Sequence, residues 1–117
     1  MWRMKNNDLE ARIGIPDGFK VKGGDGRAIS SWNEVKNADG YILSYYRASE
    51  PELCIKTRYS QKPEKTILGF RNGVEYLADV CAYQFCDGVE IRGDKSDKIP
   101  FVPVSMKLKA QNVICLS

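Results

Sequence analysis

Few residues in this sequence could carry out chemistry, and none of its 117 residues is a histidine. Histidine is the side chain most often used for acid–base catalysis near neutral pH, so serine–histidine and cysteine–histidine arrangements are excluded. A carboxylate pair for glycoside hydrolysis would need a deep sugar-binding cleft, which so small a domain rarely offers. The glycine-rich segment 23–26 lacks the following lysine and helix of a phosphate-binding loop, so it is predicted to be a turn. We therefore expect no catalytic residue and no enzymatic activity.

The four cysteines offer little for metal binding. They are Cys54, Cys81, Cys86 and Cys115, and no two of them have the Cys-x-x-Cys spacing. Without histidine, a zinc site would need all four thiols at an unusual spacing. We expect no metal and no cofactor, and we interpret the cysteines as small buried or half-buried thiols. Their disulfide state stays open.

Composition places the chain among ordinary globular proteins, with 43% hydrophobic and 28% charged residues. Its length suits one domain. The formal net charge is only +3, and the basic residues are scattered, so we expect neither nucleic acid nor an anionic membrane surface as a partner. No apolar run approaches the 18 or so residues of a membrane span, and residues 1–8 lack the apolar stretch of a signal peptide. A cytoplasmic protein and a piece of a longer chain both remain open.

Apolar and polar residues alternate in short runs from Ile15 onward, and these runs are separated by Gly, Pro, Asn and Asp. No window keeps a helical period, so the pattern predicts an all-β domain at 15–102, after a tail at 1–14. Strands are predicted around Phe19 and Val21, then at 27–33, 40–47, 53–59, 65–70, 76–86 and 89 to about 102. Asp87-Gly88 is predicted to form a two-residue hairpin turn with positive φ at both positions.

The alternation also assigns the two faces of the strands. On the strands at 40–47 and 76–86, one parity collects apolar residues that should form one wall of the core, and the opposite sheet should supply the other. The predicted core residues are Trp32, Tyr41, Leu43, Tyr45, Ile67, Phe70, Tyr76, Ala78, Val80 and Ala82.

These residues and their order resemble the fibronectin type III family over about residues 15–102. The resemblance rests on Trp32, Gly40-Tyr41-x-Leu43-x-Tyr45, Leu68-Gly69-Phe70, Gly73 and Tyr76-x-Ala78-x-Val80-x-Ala82. It implies an antiparallel, immunoglobulin-like sandwich of two sheets and about seven strands. It also implies a tyrosine corner, in which the Tyr76 hydroxyl bonds back to the preceding loop. Two features depart from the family: the small Ala28 and Ser30 on the second strand, and the four cysteines.

Within that family, Val80-Cys81-Ala82-Tyr83, Gly93 and Ser96 resemble a bacterial branch, whose modules commonly occur in arrays in secreted or wall-bound proteins of Gram-positive bacteria. The resemblance implies a spacer or protein-interaction domain of a larger extracellular or cell-surface protein, with neighbouring domains or another protein as partners. The alternatives are a stand-alone intracellular binding protein that uses its loops and one sheet face, and a carbohydrate-associated accessory module.

The tripeptide Arg92-Gly93-Asp94 matches an integrin-binding motif that some animal fibronectin modules carry at a loop tip. Here Asp87-Gly88 forms the predicted hairpin tip, which leaves the tripeptide several residues farther along the returning strand. We expect ordinary strand residues, and cell adhesion is the alternative.

The outward parity of the same two central strands is also apolar. It predicts a partner-binding face made of Ile42, Tyr46, Tyr83 and Phe85, beside Ser44 and Cys81, which could serve a neighbouring domain, another protein or a second copy. The alternative is that the segment from Phe101 to Leu108, or the stems of lysines and arginines, covers this face.

The last segment, 103–117, is predicted to lie outside the sandwich. Its alternating Val104-x-Met106-x-Leu108 and Val113-x-Cys115 resemble the opening strands of a following bacterial immunoglobulin-like domain. An extra edge strand and an irregular tail are the alternatives.

Overall fold

The computed structural model describes residues 13–50 and 55–105, and within them the chain forms eight strands and no helix. The strands are β1 Lys20–Gly24, β2 Arg27–Ser31, β3 Gly40–Arg47, β4 Lys56–Ser60, β5 Glu64–Leu68, β6 Tyr76–Cys86, β7 Val89–Arg92 and β8 Ile99–Phe101. They form a three-stranded sheet, β1-β2-β5, and a five-stranded sheet, β4-β3-β6-β7, in which β8 also pairs with β6. All pairs are antiparallel, so the predicted two-sheet β-sandwich is confirmed. The described part of the chain contains no helix long and apolar enough to cross a membrane.

The five-stranded sheet is centred on β3 and β6, whose bounds coincide with the predicted strands. They pair over eight residues, from Gly40 opposite Tyr83 to Arg47 opposite Tyr76. Gly40 lets the Tyr83 ring lie against the backbone, because a Cβ there would overlap the tyrosine hydroxyl oxygen. The register therefore depends on a glycine beside a large aromatic ring.

The three-stranded sheet shows why small residues occur on β2. Ala28 and Ser30 point into the core and are buried, and Ile29 between them is exposed. The Ser30 hydroxyl donates a 2.6 Å hydrogen bond to the Lys65 carbonyl on β5, which satisfies its polar group inside the core. A cavity of about 10 Å³ remains beside these side chains, and Phe70 from the following corner helps to line it.

The core between the sheets is an aromatic cluster. Phe70 makes edge-to-face contacts with Tyr76 at 4.8 Å and with Phe101 at 5.3 Å between ring centroids. Arg71 N donates a 3.0 Å hydrogen bond to the Tyr76 hydroxyl, which is the corner that the resemblance implies. The structure buries every residue assigned to the core from sequence: Trp32, Tyr41, Leu43, Tyr45, Ile67, Phe70, Tyr76, Ala78, Val80 and Ala82.

The prediction of one continuous strand from Val89 to about Val102 is wrong. Two short strands, β7 and β8, pair with different parts of β6, and residues 93–98 link them. Gly93 N still donates to the Ala82 carbonyl and Ser96 N to the Val80 carbonyl, each at 2.8 Å. A Cβ on Gly93 would lie 2.6 Å from Ile13 Cγ2, so the link packs tightly against the start of the described chain.

Packing extends beyond the predicted bounds of 15 and 102. Ile13 is buried in the core cluster, and Pro103 is fully buried. Val104 N donates a 3.1 Å hydrogen bond to the Gly24 carbonyl, and Gly73 N donates a 2.8 Å bond to the Pro103 carbonyl. The expectations for residues 1–12 and 106–117, including Leu108 and Cys115, and for Cys54, lie outside the described residues.

Candidate functional site

The predicted partner-binding face lies on the outer side of β3 and β6, but most of it is covered. Only 2% of Ile42, 4% of Tyr46 and 6% of Tyr83 is exposed, whereas Phe85 is 58% exposed. The expectation of an open apolar patch therefore needs correction, since Phe85 is the only member of the four with a large exposed surface. The partner-binding role of these residues stays a prediction.

Neighbouring side chains account for this burial. Tyr59 of β4 lies directly opposite Ile42 in the sheet, and its ring lies 5.5 Å from the Tyr83 ring, edge to face. The Lys98 ammonium lies 5.2 Å from the centre of the Tyr46 ring, as expected for a lysine that covers an aromatic surface. Phe101, suggested above as a cover, instead points into the core. A tyrosine from the edge strand and a lysine thus cover the face.

Tyr59 also belongs to a polar network at the margin of this face. Its hydroxyl donates a 2.9 Å hydrogen bond to Glu90 Oε1 and accepts one of 3.2 Å from the Arg92 guanidinium. Arg92 Nε donates a 2.6 Å hydrogen bond to Glu90 Oε2. The hydrogen bond from Arg92 lowers the pKa of Glu90, and the same bond raises the pKa of Arg92. Burial raises the pKa of Tyr83 beside this network.

This network also includes the first residue of the Arg92-Gly93-Asp94 tripeptide. The Arg92 guanidinium is held by Glu90 and Tyr59, and Gly93 packs against Ile13. The hairpin tip lies at Asp87-Gly88, where φ is 53° and 81° as predicted. Arg92 is the last residue of β7, and Gly93 and Asp94 lie in the link that follows, so the prediction of strand residues holds only for Arg92. The tripeptide does not form the hairpin tip, and adhesion stays the alternative.

The aromatic rings of the outer face do not lie in one plane. The rings of Tyr59 and Tyr83 cross at 63°, and those of Tyr83 and Phe85 cross at 73°. Tyr83 is buried, so Tyr59 and Phe85 are the exposed members of this group of three. A pyranose stacked on either exposed ring would have no coplanar neighbouring ring, and this geometry disfavours the carbohydrate-associated alternative.

The outer face of the five-stranded sheet also contains a buried carboxylate, that of Asp79. Asp79 on β6 is only 3% exposed, it lies opposite Ser44 on β3, and its Oδ1 has no hydrogen-bond partner in the described part of the structure. Burial raises its pKa, and the nearby charges of Lys95 and Lys98 oppose that rise. Sequence reasoning missed Asp79 because a charged residue at an outward position is usually exposed.

The Cys81 thiol is poorly placed to react as a nucleophile. Cys81 is 3% exposed, and burial is the largest cause that raises its pKa, so little of it is the nucleophilic thiolate. Cys81 and Cys86 are both free. The residues at 13–50 and 55–105 include no group of side chains that could hold a metal ion.

A groove of about 410 Å³ opens where the edges of the two sheets face each other, between β4 and the end of β5. Lys56 and Arg58 of β4 lie opposite Tyr45 and Leu43 of β3, so they share the inner face of the sheet with core residues. The Arg58 guanidinium carbon lies 5.8 Å from the centre of the Tyr45 ring. The residues that line this groove are Tyr45, Tyr46, Arg47, Glu50, Lys56, Arg58, Leu68, Gly69, Phe70 and Tyr76.

Sequence reasoning missed the groove, although one signal was present. In the predicted strand at 53–59, Lys56 and Arg58 fall on one parity and Thr57 and Tyr59 on the other. Only the register against β3 shows that the two cations occupy the inward parity.

Comparison with solved structures gives the fold. The chicken CNTN1 FN1-FN3 domains match with a TM-score of 0.66 and 23% identity over 79% of this chain, which spans 31% of that chain. The FN5 domain of Drosophila Lar matches with a TM-score of 0.62 and 17% identity, over 79% of this chain and 97% of that one. A structure described as a myokine matches with a TM-score of 0.63 and 16% identity, over 78% of this chain and 98% of that one. No protein-family model and no curated protein sequence matches the chain.

These likenesses show a fibronectin type III fold.

Proposed function

We propose that this domain is a non-catalytic spacer or protein-interaction module of a larger surface or secreted protein. The proposal rests on the positions at which the described chain enters and leaves the sandwich. The described chain starts beside the β2–β3 loop, where Asn33 N donates to the Asp17 carbonyl at 2.9 Å. It leaves at the opposite end of the sandwich, where Val104 N bonds the Gly24 carbonyl at the β1–β2 turn. Flanking domains would therefore lie on opposite ends, as in a linear array.

The geometry can be tested by attaching one small rigid reporter domain before Ile13 and another after Ser105. Small-angle scattering should then show three bodies in a line. The matched control moves the second reporter to the Asp87-Gly88 tip, which lies at the same end as the start of the described chain and should give a shorter particle. Equal maximum dimensions for the two fusions would contradict the spacer proposal.

The extracellular location and the bacterial origin are supported by the resemblance of Gly93, Ser96 and the Val80–Tyr83 run to surface modules. Labelling intact native cells with an antibody to the folded domain tests the location. The free thiols of Cys81 and Cys86 favour the alternative, an intracellular binding protein, because exported domains often oxidise their cysteines. Label that appears only after the cells are lysed would establish that alternative.

The outer face can be tested at its exposed member. Phe85→Ser should weaken any contact that this face makes, because Phe85 is the member that a partner could reach. Tyr46→Ser would also disturb packing, since Tyr46 is buried beneath Lys98. Sedimentation of the native protein over a range of concentrations measures self-association. If Phe85→Ser leaves both self-association and contacts with neighbouring domains unchanged, this face is not the contact surface.

A further inference from the structure

We infer that the open edge of β4 takes up an extended peptide whose acidic residues alternate with apolar ones, which adds as a further strand to the five-stranded sheet. This inference rests on the proposed interaction-module function and names the class of partner. It uses a surface separate from Phe85 and from the ends of the domain.

The first observation is the unpaired edge. Among the described residues, β3 is the only strand that pairs with β4, which is an outermost strand of the sheet order. Four of its five residues are exposed. An edge strand presents a row of free backbone N–H and C=O groups, and peptides that add to a sheet use that row for affinity.

The second observation is the charge beside that edge. Lys56 and Arg58 point to the inner face, where Arg47 also lines the groove. The ion pair found in the described part of the chain joins Arg92 to Glu90, on the other side of the sheet. Glu50 is the one described carboxylate among the lining residues, so three cations line a groove with a single opposing charge.

These positions define the sequence that the edge would accept. In a strand paired with β4, the residues opposite Lys56 and Arg58 would share the inner face, so carboxylates there would meet cations. The intervening residues would share the outer face with Thr57 and Tyr59, and Tyr59 is 47% exposed. Apolar or β-branched side chains pair well with an aromatic ring across strands. The complementary peptide therefore alternates acidic and apolar residues.

The same cations disfavour pairing of this edge with a second copy of β4. A second copy of β4 paired with this edge would place Lys56 and Arg58 opposite cations on the inner face, and like charges directly opposite destabilise a strand pair. Inward-pointing charges are a known protection of sheet edges, and this protection disappears when the incoming strand carries the opposite charge. An acidic strand is thus the occupant that the charges favour.

The test uses the full chain, labelled with ¹⁵N, and a nine-residue peptide that alternates glutamate with valine. Titration should shift the amide signals of residues 56–60 and slow their hydrogen exchange. A peptide with lysine in place of glutamate should bind at least about tenfold more weakly, because its charges would oppose those of the edge. A glutamate–valine peptide with an N-methyl group on every residue keeps the charge but can donate no backbone hydrogen bond from either of its edges, and it too should bind at least about tenfold more weakly.

Charge reversal tests whether Lys56 and Arg58 set the preference for an acidic peptide. Lys56→Glu with Arg58→Glu should reverse the preference, so that the lysine–valine peptide binds more tightly than the glutamate–valine peptide. Lys20→Glu with Lys22→Glu, two exposed cations with the same spacing on β1, is the matched control and should leave the preference unchanged. Circular dichroism of each variant establishes that it is folded before binding is measured.

Three outcomes would overturn the inference: no shift at residues 56–60 at millimolar peptide, equal binding of the N-methylated peptide, or binding of sulfated oligosaccharides without binding of the peptide. Each of them leaves the scattering test of the linear array unaffected, so the failure of this inference and the failure of the proposed function are distinguishable.

Discussion

The two lateral sides of this sandwich are built differently. On one, called the sealed side here, β1 and β8 lie together. There Val104 N donates to the Gly24 carbonyl, and Gly73 N donates to the Pro103 carbonyl. On the other, the open side, β4 and β5 face each other across the groove that holds Lys56. One side is closed by backbone hydrogen bonds. On the other, β4 pairs with no second strand of the described chain, its Thr57 carbonyl accepts a 2.9 Å hydrogen bond from the Arg58 side chain, and Lys56 and Arg58 form no ion pair with a described residue. The difference suggests that stability is concentrated on the sealed side and recognition on the open side.

The largest expected effect comes from removing the aromatic ring that β8 contributes to the sealed side. Phe101→Ala should lower the free energy of unfolding by about 4 kcal/mol, because Phe101 is 5% exposed and contacts the rings of Phe70 and Tyr76. Urea denaturation measures this loss. Val102→Ala, next to it and 40% exposed, is the control and should cost far less. Similar losses for the two variants would contradict the assignment of Phe101 to the core.

The next effect tests the backbone contact itself. Gly23→Ala should destabilise the domain by about 3 kcal/mol, since the added Cβ would overlap the Val102 carbonyl oxygen and must push the backbones apart. Gly14→Ala is the control, because Val35, at 3.8 Å, is the one described residue that its Cβ would meet. Equal thermal midpoints for the two variants would show that the sealed side is not close-packed.

A smaller effect is expected at the corner that leads into β6. Tyr76→Phe keeps the ring and removes the acceptor for Arg71 N, which should cost about 1 kcal/mol in chemical denaturation. Tyr46→Phe is the matched control, because the Tyr46 hydroxyl bonds to none of the described residues. A larger loss for Tyr46→Phe than for Tyr76→Phe would refute this account of the corner.

One substitution should stabilise the domain. Asp79→Asn should raise the free energy of unfolding at neutral pH by up to about 1 kcal/mol, because the buried carboxylate with an unpartnered oxygen is costly when charged. Burial raises the folded-state pKa of Asp79 above its ordinary value of 3.8, so the folded state holds this proton to higher pH than the unfolded state does. Ionisation of Asp79 therefore lowers the free energy of unfolding as the pH rises from about 4 to above the raised folded-state pKa.

Asp79→Asn removes this contribution, so the difference between the variant and the native protein should shrink as the pH is lowered toward 4. Urea denaturation at a series of pH values checks this. A difference that does not change with pH would mean that the Asp79 charge is not the cause.

The smallest effect is expected on the open side. Lys56→Ala with Arg58→Ala should change the free energy of unfolding by no more than about 0.5 kcal/mol, because both side chains are exposed and make no ion pair with a described residue. The exposed contact of Arg58 with the Tyr45 ring accounts for most of this amount. Thermal denaturation is sufficient to test it. A loss above about 2 kcal/mol would show that the open side also carries stability, and the contrast between the two sides would fail.

The inner architecture could be predicted from sequence because the inward parity of the central strands is apolar. The positions Tyr41, Leu43 and Tyr45 marked Gly40–Arg47, the same parity marked Tyr76–Cys86, and Asp87-Gly88 marked the turn that follows. These signals are local: each depends on neighbours along the chain and on backbone sterics, so no knowledge of the other sheet was needed.

The outer surface could not be predicted in the same way, since exposure there depends on side chains from other strands. Alternation placed Ile42 and Tyr83 on the outer face, but it could not show that Tyr59 lies against them. Likewise, Lys56 and Arg58 look like ordinary surface cations until the register with β3 turns them toward the groove. The interruption of the last strand was missed because Gly93 and Ser96 are both compatible with a strand and both still bond to β6 through their backbone N–H groups.

The opposite positions of the two chain ends have a mechanical consequence. A tensile load applied through the flanking segments would run along the strands, from Ile13 at one end to Val104 at the other. Hydrogen bonds between antiparallel strands lie perpendicular to the strands, so such a load would shear those between β6 and β8 together instead of unzipping them one by one. The closure formed by Phe101, Pro103 and Val104 would thus act as a clamp under tension, next to the point at which force leaves the domain.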